Sequence, residues 1–191
     1  MKVFGIGLAR TGTTSLHHAF AALGLRSAPS SVALMDLLDD PTRPSALLET
    51  HDAFTDNPVP FLVDVLHARH PDARFVYSTR PRDDWLRSME WLFGEGLDRL
   101  DAATRRLGDE VHERLYGITT FDASTLERIH IDHHRSVSDH FADAPHQLLT
   151  LPLDTFAWEP LCAFLELETP TQPFPRANAA TSRRLRRRRK R

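Results

Sequence analysis

Near its amino terminus the chain reads Val3-Phe4-Gly5-Ile6-Gly7-Leu8-Ala9-Arg10-Thr11-Gly12-Thr13-Thr14-Ser15-Leu16, and this stretch decides the architecture. Val3 to Leu8 is a short apolar, glycine-bearing run that suits a buried strand. Leu16, Ala19, Phe20 and Leu23 then recur at helical spacing, with Gly24 as a stop. The residues between them, Ala9 to Thr14, form a loop at the front of a helix. A glycine-bearing turn in that position points several N–H groups into one concavity, where the helix dipole adds positive potential. The expected occupant is an anion.

Working outward, Val32 to Leu38 predicts a second helix, followed by a loop marked by Pro41 and Pro44, and Ala53 to Asp56 a short strand. Pro58 and Pro60 suit the first turn of a helix carrying Phe61, Leu62, Val65 and Leu66, which ends near His70-Pro71-Asp72. Ala73 to Thr79 is the clearest buried strand. Pro81 then opens a helix with Trp85, Leu86, Met89 and Leu92 on one side. Leu97 to Leu115 and Ala123 to Phe141 read as amphipathic helices, Gln147 to Leu153 as a last strand and Trp158 to Leu165 as a last helix. Strands alternating with helices imply parallel pairing by right-handed crossovers. The expected fold is therefore a three-layer α/β domain, a parallel β-sheet flanked by helices, over residues 1–178.

The chain has 191 residues, with 24 basic and 26 acidic side chains and a formal charge of −2. Eight of the basic residues lie between Arg183 and Arg191, which leaves 16 basic against 26 acidic in the body. So acidic a body is no nucleic-acid surface, and binding of that kind falls to the basic tail alone. Residues 179–191 read as a disordered end. Cys162 has no partner for an intrachain disulfide, and no apolar run approaches the roughly 20 residues of a membrane span. These features place the chain in the cytoplasm. Its only lysines are Lys2 and Lys190, so any bound anion is held by arginine, hydroxyls or backbone N–H groups.

The glycines of the loop have the spacing of the nucleotide-binding pattern G-x-x-x-x-G-K-[ST], but Thr13 stands where the lysine belongs. The charge that reaches the terminal phosphates of a nucleoside triphosphate is missing. Arg80 follows the strand that ends at Thr79, in place of a magnesium-binding carboxylate. Both departures disfavour ATP or GTP hydrolysis. On the bland reading the loop is a tight turn in which Gly12 permits close packing and Thr13 or Thr14 caps a helix. A second constellation is Arg80-Pro81-Arg82-Asp83-Asp84-Trp85-Leu86-Arg87-Ser88. Arg80 sits at the carboxyl end of a central strand, where open α/β sheets bind ligands, and Ser88 follows about two helical turns later. A guanidinium and a hydroxyl so placed suit a shared phosphate.

Together these segments resemble the sulfotransferases that use 3′-phosphoadenosine 5′-phosphosulfate (PAPS) as donor, and among them the compact bacterial branch. The loop of that branch reads Gly-Arg-Thr-Gly-Thr-Thr-Ser-Leu; Ala9 replaces the first glycine and Arg10 to Leu16 agree. Thr55-Asp56-Asn57-Pro58, Arg80, Ser88, Trp158 to Leu165 and Phe174-Pro175-Arg176-Ala177-Asn178 agree further, so the resemblance spans about residues 3 to 178. It implies a P-loop architecture and transfer of a sulfuryl group from PAPS to a hydroxyl or amine of a small acceptor, with no metal. It also implies that Arg10, Thr11, Gly12, Thr13, Thr14 and Ser15 hold the phosphosulfate, that Arg80 and Ser88 hold the 3′-phosphate, and that Arg176 contributes to donor binding.

Sulfuryl transfer builds negative charge on the departing phosphate oxygen, so Arg10 and the N–H groups of Gly12, Thr13 and Thr14 are the expected stabilisers. Asp56 stands where cytosolic relatives carry a histidine base, and it reads equally as a base or as a turn former ahead of Pro58. His134 reads as an acceptor-pocket residue by resemblance, or as part of a polar helix face. His130-x-Asp132-His133-His134 lacks the adjacent glutamate of H-E-x-x-H, which argues against a metal. Trp85, Trp91 and Phe93 suit an aromatic roof or a core. The competing functions are a non-catalytic or kinase-like nucleotide-binding protein, and electrostatic binding through the arginine-rich tail.

Overall fold

The computed structural model describes residues 1–28 and 30–177. Asn178 and the basic tail lie outside the described residues. A five-stranded parallel sheet forms the middle layer, built from β1 (Val3–Gly5), β2 (Ser27–Ala28), β3 (Ala53–Thr55), β4 (Arg74–Thr79) and β5 (Leu148–Pro152). The strand order is β2-β3-β1-β4-β5. Phe4 pairs with Phe54 on one side and Phe75 on the other, which puts β1 at the centre. The chain leaves β1 for one half of the sheet and later crosses to the other. The carboxyl end of β1 is thus the switch point at which doubly wound sheets open a crevice.

Alternation along the strands divides the core between the two faces. Phe4, Phe54, Phe75 and Tyr77 face one way and pack with Leu62, Leu66, Val137 and Phe141. The elements on this side include α3 (Val63–Arg69) and α6 (Ala123–His140). Val3, Ala53, Val76 and Leu151 face the other way, onto α1 (Thr13–Ala22) and α7 (Trp158–Leu165). Cys162 is buried there as a small core residue. A third cluster joins Leu8 to Trp85 and Met89 of α4 (Arg82–Trp91), to Tyr116 of α5 (Ala102–Tyr116) and to Leu126 of α6. It fastens the loop after β1 to a helical layer above the sheet. No helix among the described residues is long and apolar enough to cross a membrane.

The three-layer α/β expectation agrees with this architecture, and the differences are local. The two-residue β2 and the short α2 (Ala46–Thr50), capped by Ser45, were not expected from sequence. Val32–Leu38 is a tighter 3₁₀ segment, and so is Val59–Phe61 before α3 begins. The helix expected from Leu97 is interrupted and α5 starts at Ala102. Asp101 there accepts hydrogen bonds from the N–H groups of Ala103 and Thr104, which makes it an amino-terminal cap.

Candidate active site

The loop after β1 is shaped by contacts that only its own sequence permits. A Cβ at Gly7 would lie 2.0 Å from Ser78 Oγ and 2.4 Å from Ser78 O, so the loop can pass the end of β4 only with glycine there. Arg10 and Gly12 both take left-handed backbone angles, with φ of 73° and 102°. Thr11 is buried; its hydroxyl donates to Leu8 O at 2.7 Å and lies 2.8 Å from Ser78 Oγ. Thr11 is thus part of the loop's internal scaffold. Gly12 precedes α1 without a side-chain cap, and Thr13, Thr14 and Ser15 form the first turn.

This turn opens into a cavity of about 570 Å³, within the range of small-molecule sites. Its lining includes Arg10, Gly12, Thr13, Thr14 and Ser15 of the loop and first turn, Asp56, Asn57, Arg80, Asp84, Leu92 and His112, and Leu153, Asp154, Phe156 and Arg176. Arg80 reaches the loop directly, its Nη1 donating to Arg10 O at 3.2 Å. Arg10 in turn donates from Nε to Ser88 Oγ at 3.0 Å and places its guanidinium over the Trp91 ring at 5.0 Å. The two motifs read separately in the sequence are one hydrogen-bonded cluster. Trp85 fixes α4 beneath it, donating from Nε1 to Ala9 O at 2.8 Å. On the far side Ala177 N donates to Ser15 Oγ at 3.0 Å, which draws the Pro175-Arg176-Ala177 segment over the first turn of α1.

Asp56 faces the loop from the end of β3. Its Oδ2 accepts from Thr13 Oγ1 at 3.2 Å and its Oδ1 from Asn57 N at 2.9 Å. Its φ is 68°, and Val59 N closes a turn on its carbonyl. Both features read from the sequence, a carboxylate at the site and a turn former, coexist in this residue. Burial raises its pKa above the ordinary carboxylate value, against the opposing pull of the Asn57 N–H, the Thr13 hydroxyl and Arg10.

His134 is not brought to this cavity. It lies on the outer side of α6, with Nδ1 3.2 Å from Tyr77 OH, and borders a separate groove with Arg82, Arg87 and His130. His134 thus stands on an exposed helix face, outside the cavity formed by the loop. The two histidines nearest it have different partners: His133 donates from Nε2 to Ile6 O at 2.8 Å, and His130 Nε2 lies 3.3 Å from Arg80 O. Trp85 is fully buried and Phe93 nearly so, both in the core cluster.

Two residues of α5 had no sequence signal of their own: His112, which lines the cavity, and Tyr116, which packs against His112. His112 and Tyr116 sit one turn apart on α5, a helix read only as polar and amphipathic. Tyr116 OH donates to Asn57 Oδ1 at 3.3 Å, and burial pushes its pKa well above the usual tyrosine value. The His112 ring lies 4.7 Å from the Phe93 ring and 5.6 Å from that of Tyr116. Burial lowers its pKa, opposed by Asp109.

A loop with left-handed backbone angles at a sheet's switch point, feeding a helix and met by an arginine from the neighbouring strand, defines a P-loop α/β protein. The sulfotransferase-domain family model matches residues 2–183, and the chain belongs to that family. It is 26% identical to Ava biosynthesis cluster protein M of Aspergillus versicolor, over 92% of this chain and 80% of that one. A crystal structure of a sulfotransferase from Alicyclobacillus acidocaldarius superposes with a TM-score of 0.58 at 18% identity, covering 98% of this chain and 88% of the other. The structural likeness extends the match to the fold.

Proposed function

We propose that this protein transfers a sulfuryl group from PAPS to a hydroxyl or amine of a small acceptor. The observation that carries the reading is the Arg80, Arg10 and Ser88 cluster at the mouth of the loop. Two guanidiniums, a buried hydroxyl and the uncapped first turn of α1 meet there, a donor set that suits a ligand with phosphate at both ends. Arg10, the N–H groups of Gly12 to Thr14 and the hydroxyls of Thr14 and Ser15 hold the phosphosulfate end. Arg80 and Ser88 hold the 3′-phosphate, and Arg176 closes over the donor from the other wall. When bound, PAPS supplies an activated sulfuryl group on a phosphate leaving group.

The chain's own contribution is placement and charge. Arginine presents a planar fork that stays protonated, so Arg10 stabilises developing negative charge without giving up a proton. The Trp91 face and Ser88 Oγ hold that fork in one orientation. Asp56 fixes the Thr13 hydroxyl at the loop, and both of its carboxylate oxygens are held there by hydrogen bonds from Thr13 and Asn57.

The test compares 3′-phosphoadenosine 5′-phosphate (PAP), ATP and GTP by thermal shift, since a ligand that binds the native state raises its melting temperature. PAP should stabilise the protein at concentrations where ATP and GTP do not. Single-turnover release of labelled sulfate from PAPS then separates an enzyme from a domain that only holds the nucleotide. A larger shift with ATP would overturn the reading.

A further inference from the structure

Helix α5 meets the cavity through His112, whose ring is 6% exposed and bracketed by Phe93 and Tyr116. Its Nδ1 is sealed from solvent and makes no hydrogen bond among the described residues, which leaves Nε2 as the nitrogen on the cavity side. Three residues earlier, Asp109 Oδ1 is likewise buried without a partner, while its Oδ2 lies 3.7 Å from Arg105 Nε. Residues at this spacing are neighbours on a helix face. A buried carboxylate oxygen and a buried ring nitrogen, both orphaned and one turn apart, are an unclosed carboxylate–imidazole pair. An Nδ1–H···Oδ1 bond between them would fix the tautomer that leaves the Nε2 lone pair free to accept a proton.

We propose that His112, oriented by Asp109, is the base that takes the acceptor's proton; this rests on the sulfuryl-transfer reading. As the acceptor oxygen bonds to sulfur, its proton passes to His112 Nε2. The sulfur–oxygen bond to the 5′-phosphate breaks, and its electron pair leaves on that phosphate. Asp56 is less suited to the same step because each of its oxygens already accepts a hydrogen bond. Burial among aromatic rings keeps His112 neutral and thus able to accept. The charged groups that line the cavity with it are Arg10, Asp56, Arg80, Asp84, Asp154 and Arg176, with Asp109 on its own helix.

The experiment uses the full chain labelled with ¹⁵N-histidine, alone and with PAP, as wild type, H112Q, D109N and D56N. In the wild type the His112 ring should be the Nδ1–H tautomer, and D109N should convert it to the Nε2–H form or a mixture. PAPS turnover with 2-naphthol as the probe acceptor should fall about 100-fold in H112Q, within the usual range for a general base, with PAP affinity unchanged. The acid limb of the pH–rate profile should move to lower pH in D109N, because the carboxylate that raises the imidazole pKa is gone, and stay in place in D56N. A wild-type ring in the Nε2–H form that D109N leaves unaltered overturns the proposal, as does an H112Q enzyme with the parent's rate and pH profile. Should H112Q fail to fold, the tautomer change in D109N decides. Failure of PAP to bind the wild type would sink the donor reading, and the spectrum of the unliganded protein would still decide whether Asp109 orients His112.

Discussion

Arg80 matters because of where its side chain ends. Placed after the last residue of β4, it spans to the carbonyl of Arg10, so one guanidinium both braces the loop and borders the cavity. Arg80→Ala should weaken PAP binding by about 2 kcal/mol or more, the scale of a charge-assisted hydrogen bond. Calorimetric titration checks this, and unchanged affinity removes Arg80 from the donor site. Gly7→Ala tests the loop differently: its new Cβ would strike backbone and hydroxyl of Ser78, with no flexible side-chain end to yield. We expect a loss of about 1–3 kcal/mol of stability, typical of overpacking, read from a denaturant midpoint. These residues were legible in the sequence because glycine, threonine and arginine at a strand-to-helix junction carry their chemistry in their spacing. His112 was not. Its place at the cavity depends on how α5 packs against α6, which no local pattern encodes.

The helices translate that loop into a site. Helix α4 carries Trp85 and Ser88 on one side, so a single element holds Ala9 through the indole N–H and Arg10 through the hydroxyl. Trp85→Phe keeps much of the ring but orphans the buried Ala9 carbonyl, at a cost of about 1–3 kcal/mol. Melting temperature and PAP affinity should both drop in this variant. A change in stability with PAP affinity intact would mean that α4 supports the core without shaping the loop. Elements of strong period, such as β4, α4 and α7, could be read from sequence because their burial is one-sided or continuous. The two-residue β2 is too short to show a period, and α2 has a single buried residue, Leu48. The break before α5 comes from Asp101 turning its carboxylate onto the helix start, a capping choice that the apolar pattern running through Leu97 conceals.

Across the whole molecule, histidine burial sets the response to acid. His133 is the clearest case: it joins α6 to the end of β1 by its bond to Ile6 O, and burial lowers its pKa from 6.5 to about 4. His17, His70, His112 and His130 are shifted in the same direction, each chiefly by burial. In every one the unfolded chain binds a proton more readily than the folded one. Stability from these groups is therefore complete above the unfolded value of about 6.5 and is lost as pH falls toward the folded values. For His133 the shift corresponds to about 3 kcal/mol over that window. Asp56 works the other way: its raised pKa means that the native state gains a proton first, which returns part of the loss as the pH approaches the carboxylate range. Asp52, held far below its ordinary value by hydrogen bonds from Arg26, adds its own loss only below about 4. Urea midpoints measured from pH 7.5 to pH 4.5 should thus fall steadily on acidification. His133→Phe should start less stable at pH 7.5, since the Ile6 carbonyl loses its donor, and should lose less on acidification than the parent protein. Parallel curves for the two proteins would show that His133 is not the group whose protonation opens the fold.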